Sequence, residues 1–371
     1  MVKERERVVR LSWGGKERAL APHHAGARSG APTHETRAGL VLPGHVVPHV
    51  AHGSSRGVVL KGDNAALLGD LRATMRESVT LAYMDPPFLT GRVHKAVKRA
   101  RSEGGIEREL SVAFDDRWED RAAYLESLGT RLVHIRDLLA PHGSVVVHVD
   151  PKTSHYVKVL CDEIFGDECF ASEIVWRYRR WPSKTPNFQR VHDVLLRYRK
   201  DPDVTPRWTP LYEPLAPSTL ATWGTKKQRA VVGDKGRRLR SSTTEEASQG
   251  VPMGDVWDIG VIAPVARERT GYPSQKPEAL LERLVSALSA PGDVVLDPYA
   301  GSGTTLAVAS RLGRRYVGLD ASDVAIATTT GRLTALEGAA VPEPPASRPR
   351  SKGGVDLEEG SGRAYPRAVR Q

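Results

Sequence analysis

Two almost wholly apolar runs, VTLAYM at residues 79–84 and VVL at 294–296, each end at an aspartate followed by proline, Asp85-Pro86 and Asp297-Pro298. Runs so nearly free of polar residues, with Thr80 the one hydroxyl of an aliphatic side chain, have no face to turn to water. Each therefore reads as a strand buried on both sides, the pattern of a parallel sheet held between two helix layers. The segments around them alternate. GVVLKGD from Gly57 reads as a strand, NAALLGDLRAT as a helix, and SVVVHVD and RRYVGLD as further buried strands. Residues 119 to 140 carry a helical pattern ended by Pro141 and Gly143. HYVKVLCDEIFG predicts a helix, EIVWRYRR and HDVLLRYRK two strands, and KPEALLERLVSAL and SDVAIATTTGRLTAL two more helices. Strands interleaved with helices predict an α/β fold built on a doubly wound, mainly parallel, Rossmann-like sheet.

Composition divides the chain further. Residues 1–55 mix His, Arg, Gly and Pro, with only RVVRLSW alternating, and read as an irregular basic arm. Residues 56–200 form one half of the α/β pattern and 256–337 the other. Between them, 201–255 is rich in Pro, Thr, Lys and Arg with scattered Trp, and reads as an insertion. From 338 to 371 the Pro, Arg, Gly and Ser content predicts a disordered tail. A net charge of +10 favours a polyanionic partner. Two cysteines, Cys161 and Cys169, are too few for a disulfide framework or a zinc site, so no metal is expected. No apolar run approaches the ~20 residues of a membrane span. The N-terminus lacks the apolar core of a signal peptide. The expectation is a soluble, cytoplasmic protein.

The second aspartate opens DPYAGSGTT. Asp297, Pro298, Ala300, Gly301, Gly303 and Thr304 fall where a strand turns into a helix. Small residues there let a ligand approach the backbone, outside the carboxyl ends of the strands. The P-loop lysine is absent after Gly303, which argues against ATP or GTP. Asp320 closes the next strand about 20 residues on, where a carboxylate can take both hydroxyls of a ribose. A ligand-free glycine turn is the competing reading, and the two flanking carboxylates weigh against it.

The first aspartate opens Asp85-Pro86-Pro87-Phe88. The exocyclic amine of adenine or cytosine is a poor nucleophile, because its lone pair is delocalised into the ring. A carboxylate accepting one N–H and a carbonyl accepting the other would draw the nitrogen towards tetrahedral geometry. Asp85 supplies the carboxylate. The prolines stiffen the loop and lack N–H groups, and Phe88 offers a face on which an extruded base can stack.

DPPF, YPSQKPEALLERL and DPYAGSGTT, in that order, resemble the amino-methyltransferases of DNA, of the β-class that includes modification subunits of type III restriction systems. The resemblance runs from about Gly57 to Leu336. It implies an S-adenosylmethionine-dependent methyltransferase fold with circularly permuted motif order and an inserted target-recognition region at 201–255. It implies that Asp85, Pro86, Pro87 and Phe88 are catalytic. It assigns the cofactor loop to Asp297, Gly301 and Gly303 and the ribose carboxylate to Asp320. Asp63, in the turn Gly62 to Asn64, would lie near the cofactor's adenine. Ser274, Gln275 and Lys276 would flank its methionine end. RLSWGGKE at 10–17 faintly resembles the start of type III modification subunits. Leu89 departs from the polar residue often found after the tetrad. An aspartate first in the tetrad is typical of adenine-N6 enzymes, and cytosine-N4 chemistry stays open.

Duplex DNA is the implied partner. A homodimer and a separate restriction subunit are further partners that the resemblance allows. Residues 91–105, with Arg92, Lys95 and Lys98, read as an arm closing on phosphates or as a solvated loop. In the insertion, Lys226, Lys227, Arg229, Arg237 and Arg238 are expected on the DNA. Trp176, Tyr178 and Trp181 read as sheet packing. A catalytically inactive DNA-binding regulator and an enzyme acting on RNA or on protein glutamine are the alternatives from other classes.

Overall fold

The computed structural model describes residues 11–14, 16–21, 32–102, 105–182, 184, 186–229 and 242–338. Its centre is a nine-stranded sheet. In chain order the strands are β1 (Val50–Gly53), β2 (Gly57–Lys61), β3 (Val79–Met84), β4 (Leu139–Val149), β5 (Phe170–Arg177), β6 (His192–Arg199), β7 (Val256–Asp258), β8 (Val294–Asp297) and β9 (Arg315–Asp320). Across the sheet they lie β7-β5-β6-β4-β3-β8-β9-β2-β1. The five strands β4, β3, β8, β9 and β2 run parallel to one another. β6 is antiparallel to both β4 and β5, and β1 is antiparallel to β2. The late strands β8 and β9 thus sit between the early strands β3 and β2. That insertion brings motifs two hundred residues apart in the chain to adjacent strand ends.

Helices α1 (Asn64–Met75), α2 (Arg121–Leu138) and α3 (Ser154–Phe165) cover one face, and α4 (Glu278–Leu288), α5 (Thr304–Arg311) and α6 (Asp323–Gly338) the other. The strands feed both layers by strict alternation. Ala82 and Met84 of β3 pack with the first layer, Leu81 and Tyr83 with the second. Val145 and Val147 of β4 oppose Val146 in the same way. Both faces are dry, so most positions in these strands are apolar, and the polar residues Thr80, Ser144 and His148 among them are themselves buried. Each fully buried Val or Leu contributes roughly 1.5–3 kcal/mol. The α/β, doubly wound, mainly parallel expectation is met.

Several local expectations are corrected. Helix α2 ends at Leu138, before Pro141 and Gly143, which lie inside β4. The register of β4 on β3 jumps from Val79↔Leu139 to Leu81↔Ser144, and the proline and glycine occupy that irregularity, where no regular ladder bond is demanded. Residues 33–53 are not irregular. A short strand pair, Thr33–Glu35 with Val41–Pro43, leads through a 3-10 turn, Gly44–His49, into β1 at the sheet edge. Leu40, Leu42 and Val46 from this stretch are buried in the core. The basic stretch after the tetrad is no loop but a β-hairpin, Val93–Ser102 paired with Gly105–Asp115. Trp176 and Tyr178 pack as expected, whereas Trp181 is 93% exposed.

The 201–255 stretch holds two small strand pairs, Tyr212–Glu213 with Val251–Pro252 and Lys226–Arg229 with Ser242–Ala247, and a short helix, Pro217–Trp223. It is tied to the α/β body where Thr209 N–H donates to the Ala287 carbonyl at 2.8 Å and Leu211 and Met253 pack on the core. Residues 7–10 of RVVRLSW, and the tail from 339 on, lie outside the described residues. Among the described residues no helix is long and apolar enough to cross a membrane, and no cluster of His, Cys, Asp and Glu could hold a metal.

Candidate active site

The carboxyl ends of β3, β8, β9 and β2 are neighbours, and each delivers an aspartate: Asp85, Asp297, Asp320 and Asp63. All four line one cavity of about 640 Å³, a volume in the range of small-molecule sites. Pro86, Pro87, Phe88, Ser274, Gln275, Lys276, Pro298, Ala300, Gly301 and Thr304 line it too. Gly303 does not. It caps α5 at φ +73°, and an added Cβ would meet the Thr329 hydroxyl at 2.8 Å, so its part is close packing of α5 against α6.

The tetrad loop is shaped by a residue that the motif does not contain. Asp116, only 1% exposed, follows the hairpin and reaches back beneath the loop. Its carboxylate accepts the N–H groups of Phe88 (3.2 Å), Leu89 (2.9 Å) and Thr90 (2.9 Å), the Thr90 hydroxyl (2.6 Å) and the Trp118 indole N–H (3.2 Å). Those bonds hold Leu89 at φ 57°, a left-handed conformation costing a non-glycine residue about 1–2 kcal/mol. Asp116 was missed from sequence because nothing in AFDDRW marks which aspartate turns inward.

Asp85 stands at the centre. Its Oδ2 accepts from Lys276 Nζ at 2.5 Å, and the ammonium also lies 5.0 Å from the centre of the Phe88 ring. Its Oδ1 is buried and accepts no hydrogen bond. Behind it runs a polar chain that the sequence reading overlooked. His148, fully buried, has Nδ1 3.8 Å from Asp85 Oδ1 and 2.7 Å from the Tyr83 hydroxyl. Its Nε2 lies 3.4 Å from Asp193, whose other oxygen accepts from the Tyr178 hydroxyl at 3.0 Å. Burial pushes the Asp193 carboxyl up, but the His148 imidazole, Lys276 and the Tyr178 hydroxyl outweigh it and hold the group below its usual range. Burial, reinforced by Asp85, Asp297 and Asp193, raises the Tyr83 phenol well above its ordinary value, so it stays a neutral O–H. His148 thus bridges the Tyr83 hydroxyl and the Asp193 carboxylate through its two ring nitrogens. The edge of Trp176 packs against the same ring at 5.6 Å.

The other lobe is carboxylate-rich. Asp297, 2% exposed, accepts the Tyr299 N–H at 3.0 Å. Burial pushes its carboxyl up to about 7, against the pull of Thr305 and Tyr299. Asp320 is raised chiefly by burial while accepting the N–H groups of Gly301 and Ser322, each at 2.9 Å. Each oxygen of Asp320 keeps a further lone pair for a ligand. Gly301 is left-handed at φ +52°, and a Cβ there would press to 3.3 Å of the Tyr272 ring in the cavity wall. Asp63 caps α1 by accepting the Ala66 N–H at 3.0 Å and faces Arg131 at 3.4 Å. Asn64, also missed, ties the lobes together by donating to the Pro298 carbonyl at 2.7 Å. Gln275 spends its polar atoms on Thr270 and the Glu268 carbonyl, fixing its own loop, in which Ser274 is left-handed at φ 60°.

The basic residues divide. Arg92 and Lys95 are exposed on the hairpin, whose His94, Val112 and Phe114 line the cavity, and Lys98 lies further along the same strand. Lys226 and Lys227 pair with Glu245 and Glu246 at 3.1 and 2.9 Å, and Arg229 ends the same strand, none of them on the cavity wall. Arg237 and Arg238 lie outside the described residues.

The DNA methylase family, of N6 and N4 type, matches residues 79–330, from the start of β3 into α6. The chain is 28% identical over 319 residues to the Type II methyltransferase M.EcaI of Enterobacter cloacae, covering 73% of this chain and 68% of that protein. It is 26% identical over 269 residues to the DNA adenine methyltransferase YhdJ of Escherichia coli K12, covering 72% and 79%. The fold is shared with the PvuII DNA methyltransferase, described as cytosine-N4-specific, at a TM-score of 0.50 and 18% identity over 76% of this chain and 88% of that one. With its α/β body matched and its strand-end carboxylates around one cavity, the chain belongs to the DNA methylase family of N6 and N4 amino-methyltransferases.

Proposed function

We propose that the protein is a site-specific DNA methyltransferase that transfers a methyl group from S-adenosylmethionine to N6 of an adenine swung out of duplex DNA. The observation that carries this reading is Asp85 Oδ1, a buried carboxylate oxygen without a hydrogen-bond partner, beside an aromatic face and among further carboxylates. A buried acceptor left unpaired costs about 1–3 kcal/mol, and an incoming N–H repays it. Asp85 accepts one N–H of the exocyclic amine, a carbonyl of the Pro86-Pro87 loop accepts the other, and Phe88 stacks on the base. When bound, the cofactor supplies an electrophilic sulfonium methyl. Asp320 holds the ribose hydroxyls, Asp63 lies at the adenine end, and Ser274 and Lys276 lie towards the methionine end. The Asp297 to Thr304 turn forms the floor between them. The hairpin bearing Arg92, Lys95 and Lys98 lies against the DNA backbone, and the 201–255 region, with Lys226, Lys227, Arg229, Arg237 and Arg238, forms the target-recognition part.

Adenine is favoured over cytosine by the aspartate that opens the tetrad, and the relative YhdJ is named an adenine methyltransferase. The test is mass spectrometry of nucleosides from unmethylated DNA incubated with the protein and S-adenosylmethionine. N6-methyladenine is expected, N4-methylcytosine would change the base but keep the chemistry, and no methylated base would overturn the reading. Asp85→Ala is expected to abolish turnover while calorimetry still detects the cofactor. Near-normal rates in that variant would remove Asp85 from the mechanism.

A further inference from the structure

A second cavity, of about 570 Å³, opens beside the first, and Tyr272 to Gln275 line both. Its outer rim comes from the connection between β5 and β6, where Arg179 and Arg180 lead into Trp181, and from Arg269 across the opening. Among the described residues no carboxylate lines it. The three guanidinium groups are exposed and make no ion pair among the described residues. Their neighbours behave differently: Arg177, at the end of β5, is paired with Asp258, and Arg190, before β6, with Asp150. Arg180 lies over the Tyr178 ring at 5.3 Å, and with Arg179 and Arg269 it gives the cleft a cationic rim to which a phosphate is complementary. Trp181, 93% exposed, projects at the same rim, and Gln189 Nε2 fixes its backbone by donating to its carbonyl at 2.6 Å. An indole kept in water beside a cationic groove is a surface made for stacking on a base.

We propose that this cleft binds the phosphodiester backbone of the target strand where it enters the catalytic cavity, and that Trp181 stacks on the base step vacated by the extruded nucleotide. The inference rests on the DNA-methylation reading and extends it, since it assigns strand capture to Arg179, Arg180, Trp181 and Arg269 and not only to the hairpin and the 201–255 region. Arginines hold phosphates and set register. A side chain inserted at the unstacked step offsets part of the few kcal/mol spent on extrusion.

The experiment uses the full chain, S-adenosylmethionine, and a duplex carrying the sequence mapped by the methylation assay. Arg179→Ala, Arg180→Ala and Arg269→Ala are each expected to weaken DNA binding. Each should lower the slope of log affinity against log salt by about 0.9, one released counterion per lost phosphate contact. Cofactor affinity should be unchanged. Trp181→Ala is expected to lower kcat on a fully paired target. The loss should be recovered on a duplex whose target base faces an abasic position, where extrusion is already cheap. Phe188→Ala, which removes an equally exposed aromatic outside the cleft, serves as the control and should match the wild type. Arginine variants with the wild-type salt slope, or a Trp181 variant equally impaired on both duplexes, would overturn the inference while wild-type methylation leaves the functional reading standing. A wild-type protein that neither binds nor methylates DNA would overturn both.

Discussion

Asp297 offers the sharpest test of how the site's electrostatics burden the fold. Its carboxyl is almost wholly buried and held at about 7 instead of the usual 3.8, with burial the main cause and Asp85 and Asp320 adding to it. The folded protein therefore binds this proton more tightly than the unfolded chain does. The stabilising contribution is full below pH 3.8 and is lost as pH rises through 7, which is the reverse of a salt-bridged aspartate. Linkage puts the whole loss at about 4 kcal/mol, and the part falling between pH 5 and pH 8 at about 2.5 kcal/mol. Asp297→Asn removes the ionisation and keeps an oxygen for the Tyr299 N–H. Its amide can also still meet the Thr305 hydroxyl that now bonds the carboxylate. In urea titrations of cofactor-free protein, the stability of the variant relative to wild type should grow by about 2.5 kcal/mol from pH 5 to pH 8. The same variant should bind S-adenosylmethionine more weakly. A stability difference constant across that range would refute the burial argument, whatever happened to activity.

Three further outcomes follow from the contacts. Lys276→Met leaves the partly buried Asp85 carboxylate without its cation and should cost about 1–3 kcal/mol in denaturant, most of it restored by adding Asp85→Asn, as a double-mutant cycle would read. Asp193→Asn takes the carboxylate from His148 Nε2 and is expected to lower kcat by up to about 100-fold with cofactor affinity intact. An unchanged kcat would make the Tyr83–His148–Asp193 chain a matter of packing alone. Asp116→Ala frees three backbone N–H groups of the tetrad loop. It should cost about 1–3 kcal/mol and reduce methylation more than cofactor binding, with calorimetry and turnover measured on the same sample.

What could be read from sequence follows from where each signal is stored. Strands β3 and β8 announced themselves because both faces are buried, so composition alone marked them. The hairpin was harder. Its outer face is exposed, with Leu110 and Val112 62% and 58% exposed, so it lacks an apolar run, and GIERELSVAF is interrupted by Glu-Arg-Glu while its partner strand is rich in lysine and arginine. Residues 33–53 were lost for a related reason: strands of three or four residues carry too little pattern, and they gain stability only by covering an existing edge. The aspartates at the strand ends were legible because a carboxylate closing an apolar strand is locally odd. Asp116, Asn64 and Arg131 were not, because the contacts that shape the site join them to partners 26 to 234 residues distant.

His148 and Asp193 fall between these cases and show that more was available. Each is a polar interruption in a buried strand, in VVVHVD and in HDVLLRY. A buried polar group must find a partner, so two such interruptions on strands that pair are each other's natural solution. In the antiparallel ladder of β4 and β6, Leu195 stands directly opposite His148, and Asp193 lies two residues along on the same face. That diagonal spacing is within reach of an imidazole and a carboxylate, and the 3.4 Å contact uses it. Had β4 and β6 been paired from sequence, the two polar positions would have fixed both the register and the buried chain behind Asp85.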